Sequence, residues 1–168
     1  MKSYVLDANV FIQPYRLFYP FDLAPSFWRQ LHKALGSSDV ILLDVVLKEL
    51  KKNEDELSSW LSDIPNLIPQ STQQTDIIGF YGQVLQYLQN CGLYREEAVR
   101  QWAERDCADP WIIAYAASRD ATIITFETSG HPQLGQLAKK AKIPDVAFHF
   151  NVTCENLYSF MRDKNFSL

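Results

Sequence analysis

Four short apolar runs punctuate this chain, at residues 3–7, 40–43, 122–126 and 146–150, and the segments between them carry apolar residues at helical spacing. Val40–Leu43 is almost free of polar alternation, as expected for a strand covered on both faces. Such strands pair in parallel, and a parallel neighbour needs a crossover, usually a helix. The pattern therefore predicts an α/β chain: a single-domain α/β/α sandwich over residues 1–168, with a mainly parallel sheet of about four to five strands and right-handed crossovers.

The connecting segments can be read in more detail. Residues 8–12 form a short helical turn. Pro14, Pro20 and Pro25 forbid a long regular element over 13–27. A helix begins at Pro25, with Trp28, Leu31 and Leu35 on one side, and Gly36 closes it. Residues 45–62 read as one helix, with Val46, Leu50, Leu57 and Leu61 facing inward. Helices over about 71–90 and 94–105 form an insertion (about 71–105) between the second and third strands. Asp109 at the N-cap and Pro110 at the first helical position start a helix that runs to about Arg119. Its body is apolar nearly all round, so it should be sandwiched between layers. A helix over about 132–141, the fourth strand at Val146–Phe150, and a last helix capped by Thr153 or Asn151 complete the expectation.

Composition excludes several classes. Hydrophobic residues make up 47%, against disorder. No apolar run approaches the roughly 18 residues that span a bilayer, so no membrane partner is expected. The start carries no signal-like stretch, and Cys91, Cys107 and Cys154 are odd in number and form no CxxC pair. Both features point to a reducing, cytoplasmic location. The three histidines are scattered, which argues against a zinc site. A net charge of -4 is unlike a general nucleic-acid binder, but it is compatible with acids concentrated in one cleft around a divalent cation.

Four acids sit where such a fold gathers side chains. Asp7 ends the first strand, Glu49 lies about one helical turn past the second, Asp109 starts the apolar helix, and Glu127 follows the third strand. In a parallel sheet all four face the carboxyl edge, where ligands bind. Each also has an ordinary explanation: a turn or cap for Asp7, an N-cap for Asp109, a solvated helix position for Glu49, a loop position for Glu127. Together they repel one another unless a cation is present. Oxygen ligands without histidine or cysteine favour Mg²⁺ or Mn²⁺, and that donor set suits phosphodiester hydrolysis. No Ser–His or Cys–His constellation and no Gly-rich phosphate loop is evident. Asp106 is a fifth acid nearby, read as a surface residue.

The segments YVLDANVFI (4–12), VILLDVVLKEL (40–50), ADPWIIAYA (108–116) and IITFE (123–127) together resemble the PIN-domain family of metal-dependent ribonucleases, whose small members include VapC-like toxins. The resemblance spans nearly the whole chain. It implies a PIN-like fold, an endoribonuclease activity on an RNA substrate, and Asp7, Glu49, Asp109 and Glu127 as catalytic and metal-binding residues. Asn9 and Thr125 would support them, Asn9 by orienting Asp7. It also implies an antitoxin partner and a homodimer. One departure is the fourth acid, a Glu where many family members have Asp. The long aromatic connection, FW at 27–28 and ADPWIIAYA look like a branch of PIN-like proteins whose function is poorly characterised.

Two readings stay open at this stage: a metal-dependent endoribonuclease, the toxin of a toxin–antitoxin pair, and a non-catalytic PIN-like module that binds RNA or protein. A haloacid dehalogenase-type phosphatase looks for an Asp where this chain has Asn9, and a receiver domain needs an acid adjacent to Asp7. Basic residues cluster at Lys48, Lys51 and Lys52, at Arg95, Arg100 and Arg105, and at Lys139, Lys140 and Lys142. They are either solvated helix faces or phosphate contacts. The aromatic stretch 15–28 stacks bases, meets a partner or packs on the core.

Overall fold

The computed structural model describes residues 2–168. Its elements are β1 (Tyr4–Leu6), α1 (Asn9–Gln13), α2 (Pro25–Leu35), β2 (Val40–Ile41), α3 (Asp44–Leu50), α4 (Glu56–Ser62), α5 (Thr75–Asn90), α6 (Glu96–Trp102), α7 (Asp109–Arg119), β3 (Thr122–Ile124), α8 (Ile143–His149), β4 (Cys154–Glu155) and α9 (Leu157–Asp163). The four strands form one wholly parallel sheet in the order β2-β1-β3-β4. Val5 at its centre pairs with Ile41 on one side and Ile123 on the other. β1, β2 and β3 bury every residue, as uninterrupted apolar runs should.

Strand order and the right-handed rule decide the layers. From β1 the chain steps one way to β2 and then back across β1 to β3 and β4. The β1–β2 crossover, α2, therefore lies on one face of the sheet, and α5 to α8 lie on the other. α9 joins α2 through a chain of rings, Phe27 to Phe166 to Phe160 to Tyr4 on β1. α7 is packed between the sheet and α5 and buries Pro110, Ile112, Ile113, Ala114, Tyr115 and Ala116. The expected sandwiching of this helix is what the structure contains. No helix among the described residues is long and apolar enough to cross a membrane.

Four local expectations are overturned. Residues 146–150 are not a strand: Ile143, Val146 and Ala147 are buried at helical spacing, Pro144 opens the helix α8, and Phe148 is 83% exposed. The fourth strand is Cys154–Glu155, and Asn156, rather than Thr153 or Asn151, caps the last helix by accepting from Ser159 N. Residues 132–141 form no helix. Gly135 turns the chain with a positive φ, and Ala138 pairs with the 93–95 backbone instead, Arg95 N donating to Ala138 O at 3.0 Å. Finally, 45–62 is two helices. The chain breaks through exposed Lys51–Glu54 and restarts where Asp55 accepts from Ser58 N. The 13–27 connection is not wholly irregular either, since Pro14–Phe18 continues α1 as a π-helical turn.

Most of the aromatic stretch packs inward. Phe27 and Trp28 are buried, Phe21 stacks on Trp28 at 4.2 Å between ring centres, and the Trp28 indole donates to Tyr19 O at 2.7 Å. Leu17, Phe18 and Leu23 remain exposed.

Candidate active site

Parallel pairing puts the carboxyl ends of β1, β2 and β3 on one edge of the sheet. Asp7 is the first residue beyond β1. Its backbone N–H continues the ladder by donating to Ile124 O at 3.0 Å, so the side chain is held at the sheet margin. It is only 5% exposed. Burial pushes its carboxyl up to about 7, the Thr125 hydroxyl pulls it back, and the charges of Glu127 and Glu49 raise it further.

Thr125 is the joint of the site. Its hydroxyl donates to Asp7 Oδ2 at 2.7 Å and accepts from Asn9 Nδ2 at 3.1 Å and from Glu127 N at 3.0 Å. One proton and two lone pairs are thereby all used. The other end of the Asn9 amide accepts from Phe126 N at 2.9 Å. The resemblance has Asn9 orienting Asp7, and no hydrogen bond joins the two side chains among the described residues. Instead Asn9 holds Thr125 and the chain after β3, and acts on Asp7 only through that hydroxyl.

Asp109 is the first residue of α7, and Ala108 occupies the N-cap. The ordinary explanation for this acid, a side-chain cap, does not hold: no capping hydrogen bond is made. Burial pushes the Asp109 carboxyl up to about 8, with the charges of Asp7, Glu127 and Glu49 adding to the rise and Lys142 opposing it. Glu49, on α3, is also raised, by burial against the opposing charge of Lys52. Its carboxylate makes no hydrogen bond among the described residues. Asp7 and Asp109 therefore both lie within electrostatic reach of Glu49 and Glu127, and Asp109 within reach of Asp7.

Glu127 differs from the other three. Its carboxylate accepts from Ile143 N at 2.8 Å, at the start of α8, and lies 3.5 Å from Lys142 Nζ. The sequence placed Lys142 only in a basic cluster. Its position beside the acids follows from the irregular course of 128–142, which no periodicity announces. Asp106 is on the surface as expected, paired with Lys48 and Lys52.

Among the described residues no group of three or more His, Cys, Asp or Glu side chains is disposed to hold a metal ion as it stands. The donor set nevertheless fits a hard dication in kind. The candidate ligands are all carboxylates, Asp7 and Asp109 are raised by burial and by neighbouring negative charge, and a cation relieves both effects.

A family model described as a domain of unknown function (DUF4411) matches residues 4–168. The chain belongs to the DUF4411 family. No curated protein matches the DUF4411 chain significantly. Among solved structures, it is similar to a chain of VapBC2 from Rickettsia felis, determined bound to a DNA fragment from the complex's own promoter. The likeness has a TM-score of 0.55 at 17% identity and covers 91% of this chain and 97% of the other. That likeness is one of fold: an α/β architecture with a parallel sheet. The three cysteines of the DUF4411 chain are all free.

Proposed function

We propose that this DUF4411 protein is a Mg²⁺- or Mn²⁺-dependent endoribonuclease of the PIN-like kind, the toxin half of a toxin–antitoxin pair acting in the cytoplasm. One observation carries the reading: Asp7, buried, and Asp109, half-buried, come from distant parts of the chain to the carboxyl edge of the sheet, where the charge of the first raises the second. Neither has a cationic partner within salt-bridge distance among the described residues. Two such carboxylates disfavour the apo fold at neutral pH, so their placement asks for a ligand. The shared fold with a chain of a VapBC complex supports the same reading and extends it to an antitoxin partner.

In this reading Asp7, Asp109 and Glu49 would hold the ion, with Glu127 reaching it only by leaving Ile143 N. A bound dication supplies a water of lowered pKa and a Lewis acid for the phosphoryl oxygens. The rest is the chain's own work. Thr125 fixes the Asp7 carboxylate through one oxygen. The first turn of α7 fixes Asp109. Both groups retain protons near neutrality, so binding the cation releases protons. The basic residues flanking the edge meet the backbone of the RNA substrate.

The test is cleavage of a labelled RNA with Mg²⁺, Mn²⁺ or EDTA, in the natural protein and in Asp7→Asn and Asp109→Asn. Metal-dependent cleavage lost in both variants is expected. Cleavage that survives both substitutions removes the mechanism. A second reading, a non-catalytic PIN-like binding module, is favoured by the engagement of Glu127 with Ile143 N and by the lack of a preassembled three-acid cluster. Thermal unfolding separates the two. Millimolar Mn²⁺ raises the melting temperature of a metalloenzyme and leaves that of the module unchanged.

A further inference from the structure

Next to the acids lies a cavity of about 260 Å³ whose wall carries three cations beside three carboxylates, Asp44, Glu49 and Asp106. Lys48, Lys52 and Arg105 line it, Trp111 forms an aromatic wall, and Glu49 belongs both to this wall and to the group of acids around Asp109. Tyr81 stacks on Trp111 with ring centres 3.9 Å apart and planes 17° from parallel, so the indole is held in a fixed plane. Two of these cations meet on one carboxylate. Asp106 Oδ1 lies 2.8 Å from Lys48 Nζ, its Oδ2 lies 3.9 Å from Lys52 Nζ, and Arg105 adds its charge to the same group.

We propose that this cavity is a nucleotide subsite for the RNA strand, with Asp106 holding the place of a substrate phosphate until the strand displaces it. The proposal rests on the nuclease reading for the nature of the strand. A phosphodiester, like Asp106, is a monoanion offering two oxygens to separate donors. The Asp106 pairs are exposed on both sides, and such pairs hold weakly, so exchange costs little. A flat base against Trp111 is sequence-tolerant stacking of the kind that single strands use. Because Glu49 is shared, a nucleotide held here brings its neighbouring phosphate to the acids.

An ordinary surface ion network and a phosphate surrogate predict different outcomes for one substitution: no change for the first, tighter RNA binding for the second. Removing the Asp106 charge frees two lysines for RNA if the proposal is right. The experiment is fluorescence anisotropy of a labelled single-stranded RNA dodecamer, titrated in EDTA at several salt concentrations, alongside KM for cleavage in Mn²⁺. Asp106→Asn is expected to tighten RNA binding several-fold. Lys52→Gln and Arg105→Gln are expected to weaken it, each lowering the slope of log K against log salt by roughly 0.7. Trp111→Leu is expected to weaken binding by roughly 10-fold, with Trp111→Phe, which keeps a ring against Tyr81, in between. Melting temperatures establish that each variant is folded, and Trp111→Phe carries the aromatic arm alone if Trp111→Leu is not. Natural protein that cleaves RNA while Asp106→Asn and Lys52→Gln leave binding and KM unmoved overturns the subsite and spares the nuclease reading. The expected binding shifts without cleavage uphold the subsite and overturn the nuclease. RNA that binds to none of the proteins overturns the subsite.

Discussion

Replacing Asp7 by Asn should stabilise the protein at high pH in EDTA while destroying its function. The reasoning starts from linkage. The Asp7 carboxyl is raised from 3.8 to about 7, chiefly by burial. Between those values the unfolded chain has released its proton and the folded chain has not, so the folded state binds more protons and stability falls as pH rises. A rise from 3.8 to about 7 corresponds to about 4 kcal/mol, reached in full above pH 7. Asn carries no charge and escapes that cost, but its buried amide N–H groups need a partner, a loss of about 1–3 kcal/mol. The net gain at pH 8 is therefore roughly 1–3 kcal/mol, and for a domain of this size about 2–4 °C of melting temperature per kcal/mol. At pH 4–5 the natural carboxyl is protonated in the folded state and the gain vanishes, so the two stability curves should cross. Urea unfolding from pH 4.5 to 8.5 in EDTA measures this directly. Mn²⁺ should then restore the natural protein at pH 8 and leave the variant unmoved. Parallel pH curves, or a variant less stable than the natural protein throughout, would refute the argument that Asp7 is a buried acid in need of a cation.

Other substitutions report on the surrounding framework. Thr125→Val removes the hydroxyl that lowers the Asp7 pKa, so that pKa should rise further and stability at pH 8 fall by about 1–3 kcal/mol, read by urea unfolding. Glu127→Gln keeps an acceptor for Ile143 N; stability should change by less than about 1 kcal/mol, and any loss of cleavage then reports the charge rather than the anchoring of α8. Asp44→Ala strips the acceptor from Val45 N and Thr72 N, which tie α3 to the 70–72 chain, and should cost about 1–2 kcal/mol in thermal unfolding. Proton release on Mn²⁺ binding, measured by calorimetry in buffers of different ionisation enthalpy, should exceed zero at pH 7 and shrink toward pH 9, where Asp7 and Asp109 have already ionised.

The elements that could be read in advance are those whose signal is local. β1, β2, β3 and α7 are long or apolar enough for their burial to dictate them, and parallel pairing then delivers Asp7 and Asp109 to one edge. The failures lie where tertiary contacts outweigh pattern. Val146–Phe150 looks like a strand until Pro144 and the burial of Ile143 impose a helix, which leaves Phe148 in water. The 132–141 stretch has helix-forming residues, yet Leu93 and Arg95 capture Ala138 as an extended partner. Site chemistry followed the same division. The positions of the acids are properties of strand and helix ends. The hydrogen bonds of Asn9 and the approach of Lys142 to Glu127 depend on loop geometry that one sequence does not encode visibly.

Thr125 limits what evolution can write at its position. A hydroxyl that gives one proton and receives two is matched only by serine among side chains of similar reach. Cysteine donates too feebly, valine neither donates nor accepts, and an amide is too long for a site this enclosed. Relatives that keep this three-way junction should therefore show a two-letter alphabet there, even where the neighbouring strand drifts freely among aliphatic residues.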